Sequence, residues 1–418
     1  MRVTVLAVGS TGDIQPYLAL AVGLKNDGYS VRFVANSNFA SFVTRYGLEF
    51  FPIQVDSFKI SQSPQAQAWY DSGSMLTLLL NTQRVLRPLL HQFLVDILEA
   101  CQKSDLIIYH SFALPFVYFI GKELDIPCIP ASIDPLPTRA HPALALNVNW
   151  SRSQAFNMFT HQLVDHFGWR VFLPVLRKSW RGKVNISEIN PYRQLFKEQK
   201  LILCAYSPVV VPRPVDLPEH VVITGYWFLD HHSDWQPPDD LVEFIHSGKQ
   251  PIYVGFGSIG NPNESNHTAD MVFRALAETG QRAVLAAGWG EMGIGRQIPK
   301  DVFLLKSIPH SWLFPRMAAV VHHAGPGTTA AGLSAGVPNA TVPHFGSHHF
   351  YAKCIADLGA GPKPIDRKKL SFEKLSQAIK TATNDYSVKE RASVIGAKIR
   401  SEDGVTQAVQ AIHQYING

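Results

Sequence analysis

Short apolar runs alternate along the chain with glycine-containing turns and with stretches of helical spacing. Residues 3–8 form a continuous apolar run, which is typical of a central parallel strand buried on both faces. A turn at residues 9–13 precedes a predicted helix that begins at about Ile14 or Pro16 and ends at Asp27. Residues 30–35 form the next predicted strand. Strand, turn, helix and strand in this order predict a doubly wound α/β sheet.

The same alternation returns after residue 250. A predicted strand at residues 252–256 leads into a glycine turn, a helix at about 268–279 and further strands. Between the two series, Pro208, Pro212, Pro214 and Pro218 predict a linker. The pattern therefore predicts two Rossmann-like domains, residues 1–212 and 213–395, followed by a terminal segment at 396–418. Residues 75–100 have a long apolar helical pattern.

The densest signal lies at residues 318–346. A short predicted strand at residues 318–321 is followed by a turn at residues 322–327 that contains His322, His323 and two glycines. A helix is then predicted to begin at Thr328 and to be closed by Gly336. The free N–H groups and the dipole of such a helix start favour an anion, which suits a phosphate or diphosphate. An ordinary glycine-rich connection between strand and helix is the alternative.

The first turn differs from a dinucleotide-binding loop. It has the spacing GxxG rather than GxGxxG, and no acidic residue ends the second predicted strand. This pattern argues against a site for NAD or FAD.

Composition narrows the class of protein. Of 418 residues, 46% are hydrophobic and 17% are charged, which is typical of a globular chain with room for two cores. The net charge of +5 comes without a run of five or more like charges, so nucleic acid is not an expected partner. The four cysteines form no CxxC pair, and the histidines near residue 344 lack ligand spacing, so we predict no metal site. We expect a cytoplasmic protein, with contact to an anionic membrane surface left open.

Several ordered motifs together resemble the family-1 glycosyltransferases of the GT-B fold, in the branch of sterol and glycopeptide-antibiotic glycosyltransferases. They are GSTGDIQPYLALAVGLKNDGYSV, ITGYWFLD, PIYVGFGSIG, SIPHSWLFPRMAAVVHHAGPGTTAAGLSAGVP and SEDGVTQAV. The resemblance implies two facing Rossmann-like domains with a cleft between them, and a last helix that crosses back onto the N-terminal domain. It also implies inverting, metal-independent transfer from a UDP or dTDP sugar, without a further cofactor.

The resemblance assigns the donor contacts residue by residue. His323 matches a histidine that contacts the α-phosphate, and Ser258 matches a serine beside the β-phosphate. His322 is expected to be structural. The resemblance implies that the diphosphate is contacted by Gly325, Gly327, Thr328 and Thr329. It implies that the base and ribose are contacted by Ser307, Ile308 and His310. Ser10 and Gly12 are the expected donor contacts from the first loop.

Asp13 is the candidate general base, because relatives carry a histidine or an aspartate at this position of the first loop. Its carboxylate would accept the proton of the acceptor hydroxyl. The alternative is that Asp13 only caps the helix. We further predict that Asp13 and His110, at the end of a later strand, form a hydrogen-bonded catalytic pair.

The chain departs from the family where the donor sugar is bound. Relatives commonly carry an Asp–Gln pair where this chain has Ser347 and His348, and two glycine-loop positions are Ala324 and Pro326. Three interpretations remain open: an unusual donor sugar, a different grip on an ordinary hexose, or weakened activity. The alternative function is a nucleotide-binding or partner protein with little turnover.

Residues 55–100 and 134–190 are rich in Leu, Phe, Trp and Pro and are expected to form the acceptor pocket, although ordinary packing is an equal alternative. They predict an apolar, lipid-like alcohol as acceptor. We expect a monomer or weak dimer.

Overall fold

The computed structural model describes residues 1–54, 63, 90–146, 153–230, 234–257, 262–288 and 292–418. This part of the chain forms two compact units. Unit 1 comprises Met1–Leu229 and Glu402–Gly418, and unit 2 comprises Asp230–Ser401. Each unit has a parallel sheet accompanied by helices. The predicted fold class, two Rossmann-like α/β domains, is confirmed.

Unit 1 has a seven-stranded sheet in the order β3-β2-β1-β4-β5-β6-β7. Its strands are β1 (Arg2–Leu6), β2 (Ser30–Asn36), β3 (Glu49–Ile53), β4 (Leu106–His110), β5 (Cys128–Ser132), β6 (Ile202–Cys204) and β7 (Val221–Ile223). Its first helices are α1 (Thr11–Asn26), α2 (Ala40–Thr44), α3 (Leu114–Leu124), α4 (Gln154–Ser179) and α5 (Pro191–Gln194), and residues 90–101 are also helical. Val5 and Leu6 belong to separate buried clusters on the two faces of the sheet. The continuous apolar run of β1 follows from this burial on both faces.

Unit 2 has a five-stranded sheet in the order β10-β9-β8-β11-β12. Its strands are β8 (Ile252–Gly255), β9 (Ala283–Ala286), β10 (Val302–Leu305), β11 (Val320–His322) and β12 (Asn339–Thr341). Its helices are α6 (Asp239–His246), α7 (Pro262–Thr279), α8 (His310–Leu313), α9 (Pro326–Ser334), α10 (Ser347–Asp357), α11 (Phe372–Asn384) and α12 (Tyr386–Arg400). The last helix of the chain, α13 (Gly404–Asn417), belongs to unit 1.

The units divide at places other than the predicted boundaries. The proline-rich segment after β6 leads into β7, which pairs with β6, so unit 1 continues to Leu229 rather than ending at residue 212. A three-residue strand has too short a pattern to be recognised in sequence. The returning segment begins at Glu402 rather than 396, because α12 stays in unit 2 through Arg400.

Two further expectations concern helices. α1 begins at Thr11, before both predicted starts, so Pro16 lies inside the helix rather than in its first turn. Of the predicted helix at residues 75–100, positions 75–89 lie outside the described residues, and positions 90–100 are helical. None of the helices in the described ranges combines the length and apolar character needed to cross a bilayer.

Candidate functional site

The loop after β11 turns directly into α9. Ala324 lies in the left-handed region (φ 62°), and Gly325 is the extended N-cap (φ −64°, ψ 149°). Pro326 occupies the first helical position, which needs no N–H donor, so the helix starts there rather than at Thr328. The backbone N–H groups of Gly327 and Thr328 have no partner within the described residues. These open N–H groups at the positive end of the helix dipole form the geometry of an anion site.

His322 is a fully satisfied buried side chain. Its Nδ1 accepts a hydrogen bond from the backbone N–H of Ala324 (3.1 Å), and its Nε2 lies 3.0 Å from Oδ1 of Asn339. Because Nδ1 accepts, Nε2 carries the proton and donates to the amide oxygen. Burial lowers the pKa of His322 to about 3, so the ring is neutral. Its contacts hold the left-handed turn at Ala324 in place.

His323, the next residue, has a different environment. The residue is 8% exposed, and its Nδ1 has no hydrogen-bond partner among the described residues. A Cβ atom on Gly257 would lie 2.4 Å from ring atom Cε1, and one on Gly325 would lie 2.3 Å from Nε2. Both positions therefore require glycine to let the backbone approach the imidazole. Burial lowers the pKa of His323 to about 4.

Two more histidines lie beside His323. The ring centroid of His348 is 4.7 Å from that of His323, and the ring centroid of His344 is 6.1 Å from that of His323 and 6.2 Å from that of His348. Ser347 and His348 begin α10, after Gly346 at φ 53°. Burial lowers the pKa of both His344 and His348 well below the ordinary value. Among the described residues, no cluster of three or more His, Cys, Asp or Glu side chains has the arrangement of a metal site.

The threonines of the phosphate-type loop differ in exposure. Thr328 is half-buried in the first turn of α9, whereas Thr329 is fully buried and its Oγ1 makes no hydrogen bond within the described ranges. The structure thus leaves Thr328, but not Thr329, with a hydroxyl at the surface of the predicted anion site. Ser258 lies outside the described residues.

The segment between β10 and α8 contains the predicted base and ribose contacts. Ser307 is exposed and Ile308 half-buried. The ring of His310 stacks on Phe314, with centroids 4.2 Å apart, and meets Tyr253 edge-on at 5.6 Å. Burial lowers the pKa of His310 to about 4, so its ring is a neutral packing surface.

In unit 1, Asp13 lies at the third position of α1 and Ser10 is the N-cap. Its Oδ2 accepts hydrogen bonds from the backbone N–H of Ser10 (2.7 Å) and from the Ser10 hydroxyl (2.9 Å). Oδ1 makes no hydrogen bond with the described residues, so one carboxylate oxygen is anchored and the other is available. A Cβ on Gly9 would lie 2.4 Å from Oδ2, which explains the glycine there. Gly12 lies in the first turn of the helix.

His110 ends β4 beside α1, but the predicted hydrogen bond to Asp13 is not formed. Its ring meets Tyr17 edge-on, with centroids 5.3 Å apart, and its Nδ1 makes no hydrogen bond in the part of the chain that is described. The Tyr17 hydroxyl donates instead to the carbonyl of Ala131 (2.7 Å). Burial lowers the pKa of His110 more strongly than the charge of Asp13 raises it. The two side chains therefore interact through charge, while the carboxylate bonds to its own helix start.

Sequence reasoning missed Gly257 and His344 as parts of this site. Gly257 follows β8 and has a φ of 79°, and His344 follows β12. Both residues follow a parallel strand, and this position could have indicated that they lie near the site, since the carboxyl ends of parallel strands meet at one sheet edge. Neither residue type indicates on its own that it lies against His323.

Known proteins resemble both units. Residues 3–109 match the family model of the glycosyltransferase family 28 N-terminal domain, and residues 270–414 match that of the erythromycin biosynthesis protein CIII-like C-terminal domain. The sterol 3-beta-glucosyltransferase of Vanderwaltozyma polyspora is 35% identical over 98% of this chain and 34% of its own length. That of Aspergillus fumigatus is 33% identical over 99% of this chain and 30% of its own length. The chain thus spans about a third of the length of the curated relatives it matches.

Solved structures agree on the fold. The crystal structure of glycosyltransferase VinC in complex with dTDP superposes with a TM-score of 0.68 and 17% identity, and covers 100% of both chains. The first family model lies within unit 1, the second covers most of unit 2 and continues into the returning segment of unit 1, and the relatives match almost the whole chain. The chain therefore belongs to the family-1 glycosyltransferases of the GT-B fold.

Proposed function

We propose that the protein transfers a sugar, with inversion and without a metal ion, from a UDP or dTDP sugar to a hydroxyl of an apolar, lipid-like acceptor. The carrying observation is the start of α9, where the N–H groups of Gly327 and Thr328 and the ring of His323 are unpartnered within the described residues. A diphosphate satisfies such a set of donors. The dTDP bound to VinC, a protein of the same fold, supports a nucleoside diphosphate as ligand.

Asp13 is the proposed general base. Its Oδ2 is anchored by Ser10, while Oδ1 remains available for a proton. In the proposed reaction, Oδ1 takes the proton of the acceptor hydroxyl as the acceptor oxygen bonds to the anomeric carbon. The bond from that carbon to the β-phosphate oxygen breaks, and the nucleoside diphosphate leaves as an anion. The helix start of α9 is proposed to stabilise the charge that develops on it.

An apolar acceptor is supported by two observations. Phe112, directly after His110, is 50% exposed, and Phe156 and Phe159 on α4 are 43% and 56% exposed. Phe156 and Phe159 are three residues apart on α4 and so lie on the same side of the helix. Neighbouring exposed apolar side chains of this kind mark interaction surfaces. The related proteins named sterol 3-beta-glucosyltransferase are consistent with a sterol-like alcohol.

Nucleotide binding and turnover test this proposal separately. UDP or dTDP is expected to raise the unfolding temperature of the full chain, because a ligand that binds the folded state stabilises it. Sterol-like alcohols, supplied with a panel of UDP and dTDP sugars, are expected to be glycosylated equally with and without EDTA. If no nucleotide shifts the unfolding temperature, the proposal is wrong.

A second candidate is nucleotide binding without turnover, which the replacement of the Asp–Gln pair by Ser347 and His348 favours. Donor hydrolysis in the absence of acceptor distinguishes the two. A chain that binds UDP or dTDP and consumes none of the sugars in the panel would be a binding protein.

A further inference from the structure

Three imidazoles form a compact group in unit 2, which we call the histidine cluster: His323, His344 and His348. All three Nδ1 atoms are buried and make no hydrogen bond in the described part of the chain. His348 is only 5% exposed and His323 only 8%. Buried ring nitrogens without partners are costly, and so many in one place indicate a missing ligand.

The cluster includes residues of the loop before α9 and of the start of a second helix, α10. His348 lies in the first turn of α10, and its own N–H and that of His349 bond to the carbonyls of Phe345 and Gly346 (3.0 and 3.3 Å). The turn therefore offers a ligand the positive end of the helix dipole and the imidazoles rather than free amides. The N-cap of α9, Gly325, lies against the ring of His323, and His348 itself belongs to the first turn of α10.

The charges around the cluster favour an anion over a neutral sugar. The positive charge of Arg367 contributes to lowering the pKa of His344, whereas no carboxylate among the described residues acts on the pKa of His344 or His348. Asp366 acts on His349, which is exposed. Sites that recognise sugar hydroxyls usually supply carboxylate or amide acceptors. Here Ser347 and His348 stand where the resemblance places such a pair, so neither a carboxylate nor an amide is present at these two positions.

We propose that His344 and His348 bind a carboxylate carried by the donor sugar, so that the donor is a nucleoside diphosphate hexuronic acid. The proposal rests on the proposed function, because it assumes that the diphosphate occupies the start of α9. The carboxylate oxygens would accept hydrogen bonds from the imidazoles next to the α10 helix start. Such charge-assisted bonds are stronger than those to a neutral hydroxymethyl group.

Calorimetric titration of the full chain tests the assignment. The probes are UDP-glucuronic acid, UDP-glucose and UDP, or the thymidine equivalents if dTDP binds more tightly than UDP. Wild type is expected to bind the acid about tenfold more tightly than the glucose compound, as one charge-assisted hydrogen bond would give. Equal affinity, or tighter binding of UDP-glucose, would overturn the assignment.

Matched variants locate the effect. His348→Gln and His344→Gln are each expected to reduce the tenfold preference to near unity, and two variants keep the test open if one fails to fold. His349→Gln, the same substitution on the exposed neighbour, is expected to keep the wild-type preference. The double variant Ser347→Asp with His348→Gln is expected to prefer UDP-glucose, because a carboxylate then repels the acid and accepts from hydroxyls.

The outcomes separate this proposal from the general one. A protein that binds UDP or dTDP but shows no preference, or whose preference survives in both single variants, retains the proposed function and loses the carboxylate subsite. A protein that binds neither nucleotide loses both.

Discussion

His322 and His323 are adjacent in the chain and have opposite environments. Both rings are buried and neutral, but His322 is satisfied by Asn339 and Ala324, while Nδ1 of His323 has no partner within the described residues. The difference arises because successive side chains at a strand end point to opposite sides. One ring faces into unit 2 and holds the loop, and the other lies at the start of α9.

Substitution of the two histidines should therefore have different consequences. His323→Ala is expected to weaken UDP or dTDP binding about tenfold or more, because a hydrogen bond to a charged phosphate is lost. His322→Ala is expected to lower the free energy of unfolding by about 2 kcal/mol, because it leaves buried partners unsatisfied. Titration calorimetry and urea unfolding measure the two effects. Equal loss of nucleotide affinity in both folded variants would contradict the division of roles.

Asp13 combines a structural and a proposed chemical role in one carboxylate. Asp13→Asn retains an oxygen that can accept from Ser10 but cannot take a proton, so it is expected to lower kcat about 10²- to 10⁴-fold with little change in stability. Ser10→Ala removes the hydroxyl bond to Oδ2 and keeps the carboxylate, so its loss of turnover is expected to be much smaller than that of Asp13→Asn. Turnover of Asp13→Asn close to that of wild type would exclude the base role.

At the scale of elements, the site depends on how closely backbones approach the ring of His323. Gly257 follows β8 and Gly325 precedes α9, and neither leaves room for a Cβ atom against the imidazole. Each strand of unit 2 thus delivers its following loop to the same sheet edge. Glycine at these two loop positions allows the backbone to contact the imidazole of His323 directly.

Gly325→Ala is expected to displace the His323 ring and to weaken nucleotide binding, since the new Cβ would lie 2.3 Å from Nε2. Gly168→Ala is the matched control, because Gly168 lies inside α4 with no heavy atom within 4 Å of the position of a Cβ. That variant is expected to stabilise the protein by up to about 1 kcal/mol, as alanine has the higher helix propensity. Thermal unfolding with and without UDP measures both the stability of each variant and its binding of the nucleotide. Unchanged UDP affinity in Gly325→Ala would show that the imidazole position is not critical.

At the scale of the molecule, the chain leaves unit 1 after Leu229 and returns to it at Glu402. The return is held by the Ser207 hydroxyl, which donates to Glu402 Oε1 (2.6 Å), and by α13. Ala408, Val409 and Ile412 of that helix lie in the same buried cluster as the inner face of α1. The buried core of unit 1 therefore includes side chains from α13, at the far end of the sequence from α1.

A pair of isoleucines tests this organisation. Ile412 on α13 and Ile399 on α12 are both fully buried, the first in unit 1 and the second in unit 2. Each isoleucine-to-alanine change is expected to cost about 2–5 kcal/mol. Hydrogen exchange is expected to show the loss in β1 and α1 for Ile412→Ala and in α9 for Ile399→Ala. Loss of protection in unit 2 alone for both variants would contradict the assignment of α13 to unit 1.

The buried histidines also predict how stability depends on pH. Burial holds the pKa of His310, His322 and His323 at about 4, about 3 and about 4, below the ordinary value of 6.5. The unfolded chain therefore binds more protons below about pH 6.5, and stability is full above that pH and falls toward the folded pKa values. Each ring is expected to cost about 2 kcal/mol at pH 5. An unfolding temperature that stays constant between pH 7 and pH 5 would show that these rings are not held neutral.

Much of the fold and part of the candidate site were predictable from local sequence patterns. The order of strands and helices followed from apolar runs and glycine turns, and the anion-type turn before α9 was recognisable from its glycines. The start of α1 was not, because Ser10 and Asp13 form reciprocal contacts that outweigh the preference of Pro16 for a first turn. The predicted bond between Asp13 and His110 failed for the same reason, since the carboxylate bonds to the start of its own helix.

The sequence alone determined the fold class, the parallel strands and the place of the candidate phosphate site, because these depend on patterns within a few neighbouring residues. Only the tertiary structure decided that β7 extends the first sheet, that α13 joins α1, and that His344 and His348 lie against His323. These features arise from contacts between residues far apart in the chain. The environment of an imidazole, and so its charge and its open hydrogen bonds, exists only after such contacts have formed.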